Sequence, residues 1–159
     1  MLGKTNIFLI GPMGSGKTSV GRHLARVLAR VFHDADSEIE KRTGVDIPYI
    51  FEKEGEPGFR LREREAIEHL TGLDSIVLAT GGGAVLNADN RRFLKERGCV
   101  IYLQTSISHQ VERTRRGHQR PLLQNTDPKA RLQKLFHKHN LPAHMHIDTY
   151  SEKNRLELS

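Results

Sequence analysis

The chain has 159 residues, 36% hydrophobic and 28% charged, with a formal net charge of +6. That length fits one domain with a sizeable core, and no apolar run approaches the roughly 18 residues a membrane-spanning helix needs. A lone cysteine, Cys99, excludes an intramolecular disulfide framework and suits a reducing, cytoplasmic setting; its neighbours Val100 to Leu103 predict a buried, inert thiol.

At the start, Met1 to Gly11 holds an apolar core of only Ile7–Ile10, too short for a secretory signal. Asn6 to Ile10 reads instead as a buried strand ending in glycine. Lys17 to Arg30 places Val20, Leu24, Val27 and Leu28 at helical spacing. A second strand is expected near Val31–Phe32, before Asp34, and Ile39 opens a helical stretch closed by Gly44. Ile47, Ile50 and Phe51 suggest a short helix, and Pro57 to Leu70 a longer one. Ser75 to Ala79 reads as a strand that runs into Gly81, Gly82 and Gly83. Asn87 to Arg97 is helical and Cys99 to Leu103 extended. Ile107 to Arg116 and Pro128 to His139 read as helices around the polar, basic stretch Gly117 to Asp127, with a last strand at His146 to Thr149. Strands alternating with helices predict a parallel sheet covered on both faces, a single three-layer α/β/α domain without repeats or linkers.

Gly11-Pro-Met-Gly-Ser-Gly-Lys17-Thr18 satisfies the phosphate-loop pattern G-x-x-x-x-G-K-[ST], with a strand leading in and a helix leading out. Glycines let the backbone wrap a phosphate with its N–H groups inward, and the helix N-terminus adds partial positive charge. Gly14, Ser15, Gly16, Lys17, Thr18 and Ser19 are therefore the candidate ATP-binding residues. Lys17 is placed to reach the β- and γ-phosphates, and Thr18 to offer its hydroxyl to magnesium.

A phosphate loop alone does not separate kinases from GTPases or motor ATPases. The strand at Ser75–Ala79 opens onto Thr80 and three glycines rather than an aspartate, so Asp34 and Asp36 are the best acidic candidates. At i, i+2 one of them can serve magnesium and the other a substrate hydroxyl. Alternatively Asp36 caps the following helix. The densest basic run, Arg113, Arg115, Arg116 and Arg120, lacks the interleaved aromatics of a base-stacking platform, so the positive excess points to anionic small molecules rather than nucleic acid. His137, His139, His144 and His146 have no cysteine or paired acid at zinc spacing and read as surface residues.

Gly11–Thr18, Asp34-Ala-Asp36, the run from Gly55 through Phe59-Arg60 to Glu63, Thr80-Gly81-Gly82-Gly83 and Arg120-Pro121-Leu122-Leu123 together resemble shikimate kinase, in order and with similar spacings. The resemblance implies a P-loop NTPase fold with a five-stranded parallel sheet and a mobile lid at about 115–124. The substrate-binding region lies at about 34–63. It implies transfer of the γ-phosphoryl group of ATP to the 3-hydroxyl of shikimate, in the pathway to aromatic amino acids. Asp36 would hold shikimate hydroxyls, Arg60 would grip the carboxylate steadied by Glu63, and Gly81, Gly82 and Gly83 would approach the ring. Asp34 would support Mg2+ alongside Thr18. Arg120 would act from the lid and Arg113 flank the adenine. A cytoplasmic monomer is expected, with ATP, ADP and shikimate as its partners and neither nucleic acid nor membrane.

Two places depart from the family pattern. His139 stands where a second substrate-binding arginine is expected, before Leu141-Pro142 in inverted order; and only Glu152–Ser159 corresponds to the family's C-terminal helix. A kinase for another polyol acid, such as gluconate, is disfavoured by the triple glycine and Phe59-Arg60. A nucleotide-binding regulator with a decayed acceptor site is disfavoured by intact Lys17, Asp36, Arg60 and Arg120.

Overall fold

A computed structural model describes residues 5–104 and the backbone of residues 145–148. Its centre is a five-stranded parallel sheet in the order β2-β3-β1-β4-β5. The strands are β1 (Asn6–Ile10), β2 (Val31–Asp34), β3 (Ile76–Ala79), β4 (Gly98–Gln104) and β5 (Met145–Asp148). From β1 the chain winds to one side, through β2 and back to β3, and then crosses to the other side at β4. The reversal puts a crevice outside the carboxyl ends of the central strands, where such sheets bind ligands.

Alternating side chains of β1 feed both faces of this sheet. Phe8 and Ile10 pack with Ile67, Leu70, Phe93, Leu94 and Val100 on one face. Ile7 and Leu9 pack with Ala25, Val77, Ile101 and Leu103 on the other. Every residue of β1 is therefore buried, as the continuous apolar run foretold. Helix α1 (Lys17–Val27) covers the second face, while α3 (Ile47–Thr71) and α4 (Ala88–Arg97) cover the first. Cys99 is half-buried rather than fully buried, packed against the edge of the second cluster.

Two local signals were misjudged in extent. The second strand continues past Phe32 to Asp34, because each of its residues pairs with one of β3. Helix α2 (Ala35–Thr43) begins four residues before Ile39, since the Asp34 side chain accepts a hydrogen bond from the Ser37 N–H at 3.1 Å. The cap is thus Asp34, and Asp36 sits inside the first turn.

The region between Asp46 and Thr71 is one helix broken at a corner, matching the expected short and long pieces. Gly55 stands at φ 70°, ψ −177°, and Pro57 follows. Across the corner Arg62 grips Glu54 in a bidentate pair at 2.6 and 2.8 Å, and the rings of Phe51 and Phe59 approach to 4.7 Å. The bend turns the following helix, which carries Arg60 and Glu63, back toward the sheet, where Ile67 and Leu70 join the core. Among the described residues no helix is long and apolar enough to cross a membrane.

Candidate active site

At the phosphate end, the loop between β1 and α1 is shaped by backbone. Gly16 takes φ 89° and precedes α1 with no side-chain cap, so the first N–H groups of the helix remain available to an anion. A side chain at that φ would be strained. Lys17 is buried and its ammonium donates to the carbonyls of Gly11 and Pro12, at 2.6 and 2.9 Å. A lysine held this way has its charge stationed over the loop. Ser15 is fully buried in the same loop.

Thr18 donates from Oγ1 to Asp34 Oδ2 at 3.1 Å, while Asp34 Oδ1 caps α2. One carboxylate thus joins the phosphate loop to the start of the next helical region. Gly14, Gly16, Lys17, Thr18, Ser19, Asp34, Asp36 and Thr80 line a cleft of about 200 Å3. In the sequence Thr80 stands out only as the start of the glycine motif. Its burial and its bonds to Leu9 O, 3.1 Å from N–H and 3.0 Å from Oγ1, make it the hinge between β1 and the glycines.

The acceptor end is built from side chains. Arg60 donates from one guanidinium nitrogen to Glu63 Oε1 at 2.8 Å and from another to Glu56 Oε1 at 3.3 Å. The three glycines meet three different neighbours. A Cβ on Gly81 would fall 3.0 Å from Glu63 Oε2 and 3.1 Å from Asp36 Oδ1. On Gly82 it would strike Met13 of the phosphate loop at 2.7 Å. On Gly83 it would run into the Arg60 guanidinium, 2.8 Å from Cζ. The glycine strip is therefore the seam along which Asp36, Glu63, Arg60 and the phosphate loop come together.

Glu63 is 1% exposed, and burial pushes its carboxyl up to about 7. The charge and hydrogen bond of Arg60 oppose that rise, while the charges of Asp36 and Glu56 add to it. Its Oε2 has no hydrogen-bond partner among the described residues. A buried acid titrating near neutrality beside the cleft marks a site under electrostatic tension.

The structure thus brings together Gly14 to Ser19, Asp34, Asp36, Arg60 and Gly81 to Gly83. Arg113, Arg120, His139 and the expected lid at about 115–124 lie outside the described residues. No group of three or more histidine, cysteine, aspartate or glutamate residues that could hold a metal occurs among the described residues. The pair Thr18–Asp34 nevertheless offers the hard oxygen donors magnesium prefers, and such an ion takes only one or two protein ligands when phosphates supply the others.

The model of the shikimate kinase family matches residues 13–157. A shikimate kinase from Methylococcus capsulatus is 61% identical over 136 residues, 86% of this chain and 76% of that protein. One from Acinetobacter baumannii (strain AYE) is 57% identical over 131 residues, 82% and 73% of the two chains. The solved structure of a shikimate kinase from Acinetobacter baumannii in complex with shikimate superposes with a TM-score of 0.89. It is 51% identical and covers 97% of this chain and 88% of that one.

Proposed function

The chain belongs to the shikimate kinase family, and we propose a division of labour among its residues for the reaction that family performs. It is an ATP-dependent kinase that transfers the γ-phosphoryl group to the 3-hydroxyl of shikimate. Phosphoryl transfer leaves little covalent chemistry to the protein, so holding the two substrates in line and offsetting charge dominate. The N–H groups of Gly14 to Ser19 cradle the β-phosphate, and Lys17 leaves its loop carbonyls to meet the β- and γ-phosphates. Magnesium fits Thr18 and Asp34, and when bound it supplies further neutralisation of phosphate charge.

On the acceptor side Arg60 pairs with the shikimate carboxylate, which suits a planar guanidinium. Asp36 binds the hydroxyl to be phosphorylated and accepts its proton late in transfer, positioning more than activating it. Gly81 to Gly83 form the floor against which the ring lies. Arg120 from the lid adds positive charge at the transferring group, Arg113 flanks the adenine, and His139 contributes to the carboxylate end. The enzyme works as a cytoplasmic monomer.

One observation carries this reading: Asp36 lines the same cleft as Lys17 and Thr18 and shares the space at Gly81 with Glu63, the partner of Arg60. The test is ADP release from ATP and magnesium with shikimate, quinate or gluconate as acceptor. Release that depends strongly on shikimate and not on the other two is expected. Tight ATP binding without shikimate-dependent turnover would sink the reading.

A further inference from the structure

The glycine strip has to be held from behind, since Gly81, Gly82 and Gly83 carry no side chains of their own. Its leading end is pinned by the two bonds of Thr80 to Leu9 O. Its trailing end meets α4. There Asn90, fully buried, donates from Nδ2 to Ala84 O at 2.9 Å. The next residue, Arg91, donates to Val85 O at 2.6 Å. Two consecutive side chains on the first turns of α4 thus clamp two consecutive carbonyls just beyond Gly83.

The clamp is poorly explained as a device for stability alone. Asn90 Oδ1 is buried with no hydrogen-bond partner among the described residues, a cost an apolar side chain would not incur. Ala84 O also has a second donor, the Asn87 N–H at 3.4 Å. What the clamp does fix is the place of Gly83, whose backbone lies against the Arg60 guanidinium. The same helix reaches the other wall of the site, because Asp89 accepts from Arg64 Nε at 2.9 Å and Arg97 donates to Glu68 O at 2.9 Å. Arg64 and Glu68 lie on the helix that carries Arg60.

We propose that Asn90 and Arg91 are positioning residues for the acceptor: by clamping Ala84 O and Val85 O they hold Gly83 against Arg60 and thereby set the geometry in which Arg60 receives the substrate carboxylate. This rests on the reading of Arg60 as the carboxylate ligand. The clamped carbonyls follow directly on Gly83, the glycine that faces Arg60, whereas Gly82 faces Met13 of the phosphate loop and Gly81 faces Asp36, so its loss is expected to fall on acceptor affinity first.

The experiment compares steady-state kinetics of Asn90→Ala, Arg91→Met, Arg91→Lys and Arg60→Lys with the unaltered enzyme, varying shikimate and ATP separately. Asn90→Ala and Arg91→Met are each expected to raise the shikimate KM about 3- to 10-fold, the worth of one hydrogen bond. The ATP KM and kcat should stay within about twofold, and Arg91→Lys should recover most of the loss by restoring a donor. Arg91 is only partly buried, so its variants keep the test alive if Asn90→Ala folds poorly. If Arg60→Lys raises the shikimate KM while Arg91→Met leaves it unchanged, the clamp is overturned and the reading of Arg60 stands. If Arg60→Lys has no effect, that reading fails. A parallel rise in both KM values with Arg91→Met, or a lower kcat at unchanged shikimate KM, also overturns the clamp.

Discussion

On the reading proposed above, the two ends of the cleft solve the same problem, holding an anion, with different materials. At the end proposed for phosphate, the described residues offer main-chain N–H groups and a helix terminus, and the cation Lys17 rests on the loop's own carbonyls. At the end proposed for the carboxylate, the Arg60 guanidinium is shared between Glu63 and Glu56 and backed by Gly83. A backbone cradle is indifferent to the side chains around it, whereas a guanidinium is only as well placed as its neighbours. The difference teaches where each end is vulnerable: the first through the charge delivered in the transition state, the second through geometry and affinity.

The sharpest way to break the contrast is Lys17→Met. The cradle stays, so ATP is expected to bind within about tenfold of normal, while kcat falls about 10^2- to 10^3-fold, as when one preorganised donor to developing charge is removed. Single-turnover kinetics with equilibrium ATP titration separates the two. Arg60→Lys comes next. Losing a bidentate carboxylate partner is expected to raise the shikimate KM about 10- to 100-fold with the ATP KM unchanged. A kcat effect as large as that of Lys17→Met would erase the distinction between the ends. Smaller again is Gly83→Ala, whose added methyl would meet the Arg60 guanidinium. An increase of about 10-fold in shikimate KM is expected, with the variant still binding ATP, because long side chains yield at modest cost.

How far each end was legible in the sequence follows the same contrast. The phosphate loop is local: eight consecutive residues between a strand and a helix state the geometry outright, and β1 and the start of α1 formed where expected, although α1 ends at Val27 rather than Arg30. From the residues alone Asp34 and Asp36 were legible as a pair, and only the family resemblance divided their roles. The physical grounds for that division are the bond from the Ser37 N–H and the contact with Thr18, one local and one 16 residues away. The triple glycine announced close packing without naming the partners, since Met13, Glu63, Asp36 and Arg60 reach it from three other parts of the chain. Asn90 and Arg91 gave no signal at all; in a charged helix their only distinction is which carbonyl they find. The raised Glu63 was equally hidden, because burial is a property of the fold and not of the motif.

Glu63 also sharpens the comparison in a form that kinetics does not reach. Nothing at the phosphate end requires a buried acid, whereas here a carboxyl whose usual value is 4.5 is pushed up to about 7 by burial, against the pull of Arg60. Between those two pH values the folded chain holds a proton that the unfolded chain has released. Folding is therefore favoured at the acid end of the window, and this contribution is lost as pH rises through 7. One proton held across the window gives a slope of at most about 1.4 kcal/mol per pH unit. Glu63→Gln cannot titrate, so it is expected to flatten that part of the pH profile measured by urea unfolding. Above pH 7, where the carboxyl is ionised, it also gives up the charge in the 2.8 Å pair with Arg60, so there its shikimate KM should rise while its ATP KM does not. An unchanged slope in Glu63→Gln would mean that Arg60 already holds Glu63 ionised at neutral pH. The acceptor end would then be a settled ion pair and not the strained half of the cleft.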